Sequence, residues 1–217
     1  MKEDILEQLV EDYYVSKPGW FVKHNIKFRP LKDHPAYNSK KDSVNSDIDI
    51  IAIDGRLKDD KNDLDRVHVV SCKSWQGGFR IKEWLNVLES EASYNKKKPD
   101  SFQKKEPWKL FRELISDKWI DSFLRILMQE TGQTDFTYII AVTKINGSEK
   151  EKERLENSEI IKKRFKKKKS NIKIRILTLE SIIDHIKKRI EDKETPVIES
   201  TDVGRIMQLF YAAKIEM

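Results

Sequence analysis

The sequence predicts an α/β domain: a central mixed β-sheet flanked by helices, with a helical insertion. Segments of helical period alternate with short β-type runs in the order helix, three strands, helix, helical insert, strand, helix, strand, helix. No internal repeat is visible, and no linker is long enough to divide the chain, so residues 1–217 form one expected domain with residues 94–131 inserted into it. Hydrophobic residues make up 38% of the 217, enough for a core of ordinary size.

Each element has a local reason. Residues 3–15 carry Ile5, Leu6, Leu9, Val10 and Tyr13 at helical spacing, and Pro18 and Gly19 end the run. Trp20–Phe28 alternates as a strand. Residues 30–45 are polar, contain two prolines and form an expected loop. Ile48–Ile53 is an isoleucine-rich strand closed by Asp54 and Gly55. Val67–Cys72 is the next strand, and the two pair as a hairpin with a long charged loop. Ile81, Trp84, Leu85 and Leu88 begin a helix. Residues 94–108 are a lysine-bearing loop, and 110–130 read as one helix. Residues 137–143 form a buried-type strand, 148–169 one highly charged helix and 172–177 an alternating strand. Helices follow over 182–190 and 203–215.

Composition narrows the function. Lysine and arginine exceed aspartate and glutamate by 43 to 37, giving a net charge of +6 that favours a polyanionic partner. The single cysteine, Cys72, excludes a disulfide framework and a cysteine zinc site. The first residues carry acids where a signal peptide needs an apolar run, and no apolar stretch approaches a membrane span. The expected location is cytoplasmic. No phosphate-binding glycine loop and no H-E-x-x-H zinc motif occurs, and the four histidines are scattered.

The chemistry concentrates between Ser46 and Gly78. Strand alternation sets Asp47, Asp49 and Ile51 on one face, and Ser71 and Lys73 on one face of the next strand. An aspartate beside a lysine at a sheet edge is either a plain salt bridge or a place to hold a divalent metal against a phosphate. Gly77 and Gly78 leave room for close backbone approach, or form a turn.

The order of these motifs resembles the PD-(D/E)xK nuclease superfamily, particularly Mrr-like restriction endonucleases and archaeal Holliday-junction resolvases. The matching residues are Glu7 on the first helix; Gly19, Trp20, Phe21 and Val22; Asp49, Ile50, Ile51 and Ala52; Ser71, Cys72 and Lys73; and the strand ending at Thr143. The resemblance implies a restriction-endonuclease-like fold and metal-dependent hydrolysis of DNA phosphodiester bonds by a Mg2+- or Mn2+-dependent endonuclease. It implies a homodimer, because one site cuts one strand. Asp49 is the implied central metal ligand, with the Cys72 backbone carbonyl beside it and Glu7 binding directly or through water. Lys73 orients or helps deprotonate the attacking water.

Ser71 departs from the family, which has an acid or glutamine two residues before the lysine. Three explanations stand. The acid has moved to the following helix, with Glu89 the first choice and Glu83 the second; Asp47 is the second ligand; or the site is degenerate and the protein binds DNA or an assembly partner without cutting. The basic run that includes Lys162, Lys163, Arg164, Lys166 and Lys167 is the expected nucleic-acid contact, alongside residues 94–109 with Tyr94, Phe102 and Trp108.

Overall fold

The computed structural model describes residues 4–40, 42–56, 63–86, 88–89, 107–192 and 200–214. Helix α1 (Ile5–Val15) starts at Asp4, whose carboxylate accepts from the Leu6 N–H, and ends at Ser16. Strands β1 (Trp20–Phe28), β2 (Ser46–Asp54) and β3 (Val67–Lys73) follow as an antiparallel meander. The short β4 (Phe79–Arg80) leads into a helix, α2, at residues 81–86. A 3-10 segment (Pro107–Leu114), α3 (Asp117–Thr131), β5 (Phe136–Val142), β6 (Ile145–Asn146), α4 (Glu149–Glu156), α5 (Glu159–Lys167), β7 (Ile172–Thr178), α6 (Leu179–Glu191) and α7 (Asp202–Ala212) complete the described chain.

The central sheet has five strands in the order β1-β2-β3-β5-β7, and β3, β5 and β7 run parallel. The steps from β3 to β5 and from β5 to β7 go the same way across the sheet. Right-handed crossovers therefore bring both connections to one face. That face holds the larger core, where Trp119, Phe123 and Leu127 of α3 and Ile161 and Phe165 of α5 pack on Ile51, Val69, Tyr138 and Ile140. The other face is left to α1, α6 and α7, which cover Ile50, Ala52, Val70, Ile139 and Ala141 with Leu6, Val10, Ile182 and Met207. An α/β architecture with helices on both faces of a mixed sheet is thus present. Among the described residues no helix is long and apolar enough to cross a membrane.

Two local expectations change, and part of a third lies outside the described residues. The single helix expected over 110–130 is broken: Phe111 has φ −131° and ψ 41°, and a new helix begins after Ser116. Residues 94–106 of the expected insertion lie outside the described residues. In its second half α3 supplies part of the main core. The charged helix expected over 148–169 is two helices, separated at Asn157 and Ser158. Its first half is started by a capping box between Ser148 and Glu151.

Strict alternation also fails, at Asp49. Ile48 belongs to the same core as Ile51, whereas Ile50 faces the opposite one. On the neighbouring strand Trp20 and Val22 border the smaller core, while Ile26 and Phe28 enter the larger one. Asn25 lies between them with φ 53°, in the left-handed region, and the register passes from His24↔Ile50 to Ile26↔Ile48, skipping the level of Asn25 and Asp49. A left-handed residue rotates the strand about its axis, so side chains of one parity cross from face to face there.

The polar segment 30–45 is fastened rather than free. Asp42 accepts from Lys118 Nζ at 2.9 Å, with side chains 4% and 5% exposed, and from the Asn38 N–H at 2.7 Å. Lys118 also donates to the Ala36 carbonyl. Removing one partner of a buried pair strands the other charge. Lys118→Met should therefore lower the unfolding free energy by about 3 kcal/mol, measured by urea denaturation.

Candidate active site

The site begins where β2 leaves β3. Their ladder runs from Ile53↔Val67 to Ile50↔Val70 and stops, while β2 continues against β1 as far as Ser46 and β3 continues against β5 as far as Lys73. The next pair would be Asp49 and Ser71. Instead the Asp49 carboxylate takes over as acceptor: its Oδ2 receives the Cys72 backbone N–H at 2.6 Å, the Ser71 hydroxyl at 3.3 Å and Lys73 Nζ at 3.4 Å. A side chain thus satisfies a backbone donor that the ending ladder would have orphaned. Lys73 also donates to its neighbour's carbonyl, Cys72 O, at 2.9 Å. The Asp49 and Lys73 side chains are 10% and 21% exposed, so the pair sits at a partly open sheet end.

Glu7 enters this group from α1. Burial raises its carboxyl from 4.5 to about 7, helped by the negative charges of Asp49 and Asp4 and opposed by Lys73. Asp4 is held nearby by the hydroxyl of Ser74, just past β3. Burial, together with the charges of Asp49 and Glu7, also pushes the Cys72 thiol well up, and Cys72 faces the apolar side with Val70. The thiol is therefore a packed, neutral group. Acids crowd around one lysine, and Lys73 is the cation that draws down both Glu7 and Cys72.

A residue unmarked in the sequence joins from the other side. Glu113, in the 3-10 segment, is 4% exposed; its Oε1 accepts from Tyr138 on β5 at 2.5 Å, and its Oε2 has no partner among the described residues. Burial raises its carboxyl; the Tyr138 hydrogen bond and the charges of Lys73 and Arg112 pull it back. Tyr138 in turn feels Ser71 and Asp49. The same segment brings the Phe111 ring centroid to 5.8 Å from Lys73 Nζ. In the sequence Glu113 lies among Phe111, Leu114 and Ile115 with nothing to mark it, because a continuous helix was expected there. The break at Phe111 is a tertiary feature.

Other expected residues are elsewhere. Glu89 makes an exposed ion pair with Arg154 of α4, and Glu83 pairs with Arg80. Asp47 is exposed, in register with Lys27. Arg164 is structural in its contacts, donating to the Ile115 carbonyl at 2.8 Å. Lys162 is near Glu159, while Lys163, Lys166 and Lys167 are exposed. Helix α5 ends at Lys167 and β7 starts at Ile172, so this lysine end faces the start of the parallel strands. Lys73 is at their finish, about 20 Å away along a seven-residue strand. Residues 94–106 lie outside the described residues, as do Tyr94 and Phe102; the side chain of Trp108 is likewise outside them. Gly78 is a turn with φ 77°, where an added Cβ would stand 2.8 Å from Lys144 Cγ, so its space is taken by the chain itself.

A different basic surface lies at the Asp49 end. A groove of about 570 Å3 at the close of β1 is lined by Lys27, Arg29, Lys32 and Arg125, with no acid in its walls. All four cations are exposed, and none forms an ion pair among the described residues. The register pairs Phe28 with Ser46, three residues before Asp49.

The donor set bears on a metal as follows. Among the described residues no group of three or more His, Cys, Asp or Glu side chains is suited to hold an ion. That excludes an all-protein cage from the described residues. Magnesium keeps several waters and is held through one or two carboxylates, which Glu7 and Asp49 can supply. The mutual repulsion that lifts Glu7 is what a bound cation would relieve. The Cys72 carbonyl already accepts from Lys73 and retains its second lone pair. No protein-family model, curated protein or solved structure matches the chain.

Glu7 gives a pH test that needs no ligand. Its folded value, about 7, lies above its ordinary 4.5, so the folded state holds the proton more tightly than the unfolded chain. That contribution is present in full below the unfolded value and is lost as pH rises through the folded one. Glu7→Gln should leave the thermal midpoint unchanged at about pH 4 and raise it by about 2 °C at about pH 8, read by thermal denaturation.

Proposed function

We propose that the protein is a metal-dependent endonuclease that hydrolyses DNA phosphodiester bonds, with a restriction-endonuclease-like fold. One observation carries this reading: Asp49 and Lys73 meet at the fork of β2 and β3, with Glu7 forced toward neutrality beside them. The sequence order that resembles the PD-(D/E)xK superfamily supports it from a separate direction.

Each side chain has a task. Asp49 and Glu7 hold a Mg2+ or Mn2+ ion, which when bound supplies an acidic water and a positive counter-charge for the phosphate. Asp49 is preset for this by the Cys72 N–H, which fixes its carboxylate. Lys73 places an ammonium where the attacking water and a nonbridging phosphate oxygen would lie, and offsets charge built up on the phosphate. Glu7, raised to about 7 beside Asp49, would give up its proton as the cation binds, so metal binding is favoured by rising pH. Lys27, Arg29, Lys32 and Arg125 line a path for the phosphate backbone at the same end of the sheet. Cutting both strands of a duplex would require two copies.

A second reading is a protein of the same fold that binds DNA without cutting it. It is favoured by Asp49 Oδ2, which already takes three protein donors. The two readings separate on supercoiled plasmid. The enzyme should nick it in Mg2+ or Mn2+, and Asp49→Asn or Lys73→Met should each reduce nicking at least about 100-fold. Gel-shift retention of DNA by a wild type that never nicks would overturn the enzyme reading.

The groove is tested by salt. Replacing Lys27, Arg29, Lys32 and Arg125 with glutamine should weaken DNA binding and flatten log K against log salt by about 0.9 for each phosphate no longer neutralised. The same changes at Lys163, Lys166 and Lys167 should flatten it less, measured by fluorescence anisotropy.

A further inference from the structure

Helix α7 leaves an apolar stripe uncovered, and its inner contacts fix which face that is. The Asp12 carboxylate on α1 accepts from the Thr201 N–H at 2.8 Å and from the Thr201 hydroxyl at 2.7 Å, which ties the start of α7 to α1. Gly204 lies against the same carboxylate, with no room for a Cβ between it and Asp12 Oδ2. Gly204 and Met207 are buried, and Met207 belongs to the smaller core. The helix therefore cannot roll to bury its other side. That side is apolar too: Leu209 is 66% exposed, Ile206 48% and Phe210 41%. Scattered singly, such side chains are ordinary at a surface; in a row along one fixed helix they mark an interaction face.

We propose that this face of α7 is a two-fold interface, pairing antiparallel with α7 of a second copy of the chain. The spacing suits a helix partner. Asp202, Ile206, Leu209 and Ala213 recur at intervals of four, three and four residues, the seam along which one helix packs lengthwise on another. A two-fold axis at the level between Met207 and Gln208 maps that seam onto itself. Ile206 then meets the partner's Leu209, and Asp202 comes level with the partner's Ala213, beside the partner's Lys214.

The charges select this arrangement. Asp202 opens the helix and Lys214 follows its end; both are exposed, and neither forms an ion pair among the described residues. Antiparallel pairing brings the acid of each copy to the lysine of the other and opposes the two helix dipoles. Parallel pairing would set Asp202 beside its own copy. A partner carrying one sign of charge would match only one end of the face. The helix is short, 11 residues, so the interface falls below the standard size of roughly 1,200 Å2 and its Kd should be on the order of 10 μM. The interface does not depend on the nuclease reading; joined to it, it supplies the second copy that cutting both strands requires.

Sedimentation velocity of the full chain tests the pairing. The wild type should pass from monomer to dimer between about 1 and about 200 μM. Leu209→Glu should weaken association at least about 30-fold. Because Leu209 is exposed, that change should leave the circular dichroism spectrum and the thermal midpoint as they are. Asp202→Lys and Lys214→Asp should each associate about tenfold more weakly when alone. Mixed in equal amounts, the two variants should associate within about threefold of wild type, because antiparallel pairing sets each changed end against its opposite charge. A wild type that stays monomeric at about 200 μM overturns the proposal, and so does a mixture that associates no better than its components. A monomer that floats with phosphatidylserine-containing vesicles, and loses that binding in Leu209→Glu, also overturns it and assigns the face to a membrane. A dimer that never nicks DNA leaves the interface standing and removes the nuclease reading alone.

Discussion

The structure turns on one hydrogen bond, from the Cys72 N–H to the Asp49 carboxylate. Strands β2 and β3 cannot both stay paired and part company to make an open sheet end. Parting leaves a buried backbone donor, which must be satisfied. Asp49 satisfies it with a side chain, and so the residue that ends the ladder is also the one whose carboxylate lies at the opening. Asn25, in the left-handed region at the level that the β1–β2 register skips, turns the edge strand there. Fold and site therefore share a constraint: the sheet can fork here because an acid is present, and the acid is held because the sheet forks.

Charge follows from that geometry. Burial and proximity force Glu7 and Asp49 to act on each other, and Lys73 is set among them. The opposite core adds Glu113, buried and hydrogen-bonded by Tyr138. Lys73 is approached from two cores, by the charge of Glu7 on α1 and by the Phe111 ring of the 3-10 segment. The structure also moves attention from the lysine run at the end of α5 to the groove of Lys27, Arg29, Lys32 and Arg125. Density of charge in sequence did not identify the surface beside the site, because parallel strands carry the two ends of a helix crossover to opposite ends of the sheet.

Much of the architecture was legible because it is periodic. The β1 run Trp20–Phe28, the hairpin partners β2 and β3, and the elements β5, β7 and α6 stand close to where alternation and helical spacing put them. The misses have local causes. The break at Phe111 lies within a run whose apolar spacing continues through it. The break at Asn157 and Ser158 is a short turn in a uniformly charged stretch. The face switch at Asp49 requires knowing that the ladder skips the level of Asn25, between His24↔Ile50 and Ile26↔Ile48, and these residues are far apart in the chain.

By itself the sequence determined the α/β class, the strand order along the chain and the coupling of Asp49 with Lys73, because these depend on local period and on a short hairpin. Tertiary structure decided which further groups reach that pair. Glu7 reaches it because α1 packs across β2 and β3, and the Phe111 ring because the segment before α3 folds over the opposite face. Glu89, nearer to Lys73 in sequence, is drawn instead to Arg154. Electrostatic partners are set by distance in space and by exclusion of water, and neither is written in chain order.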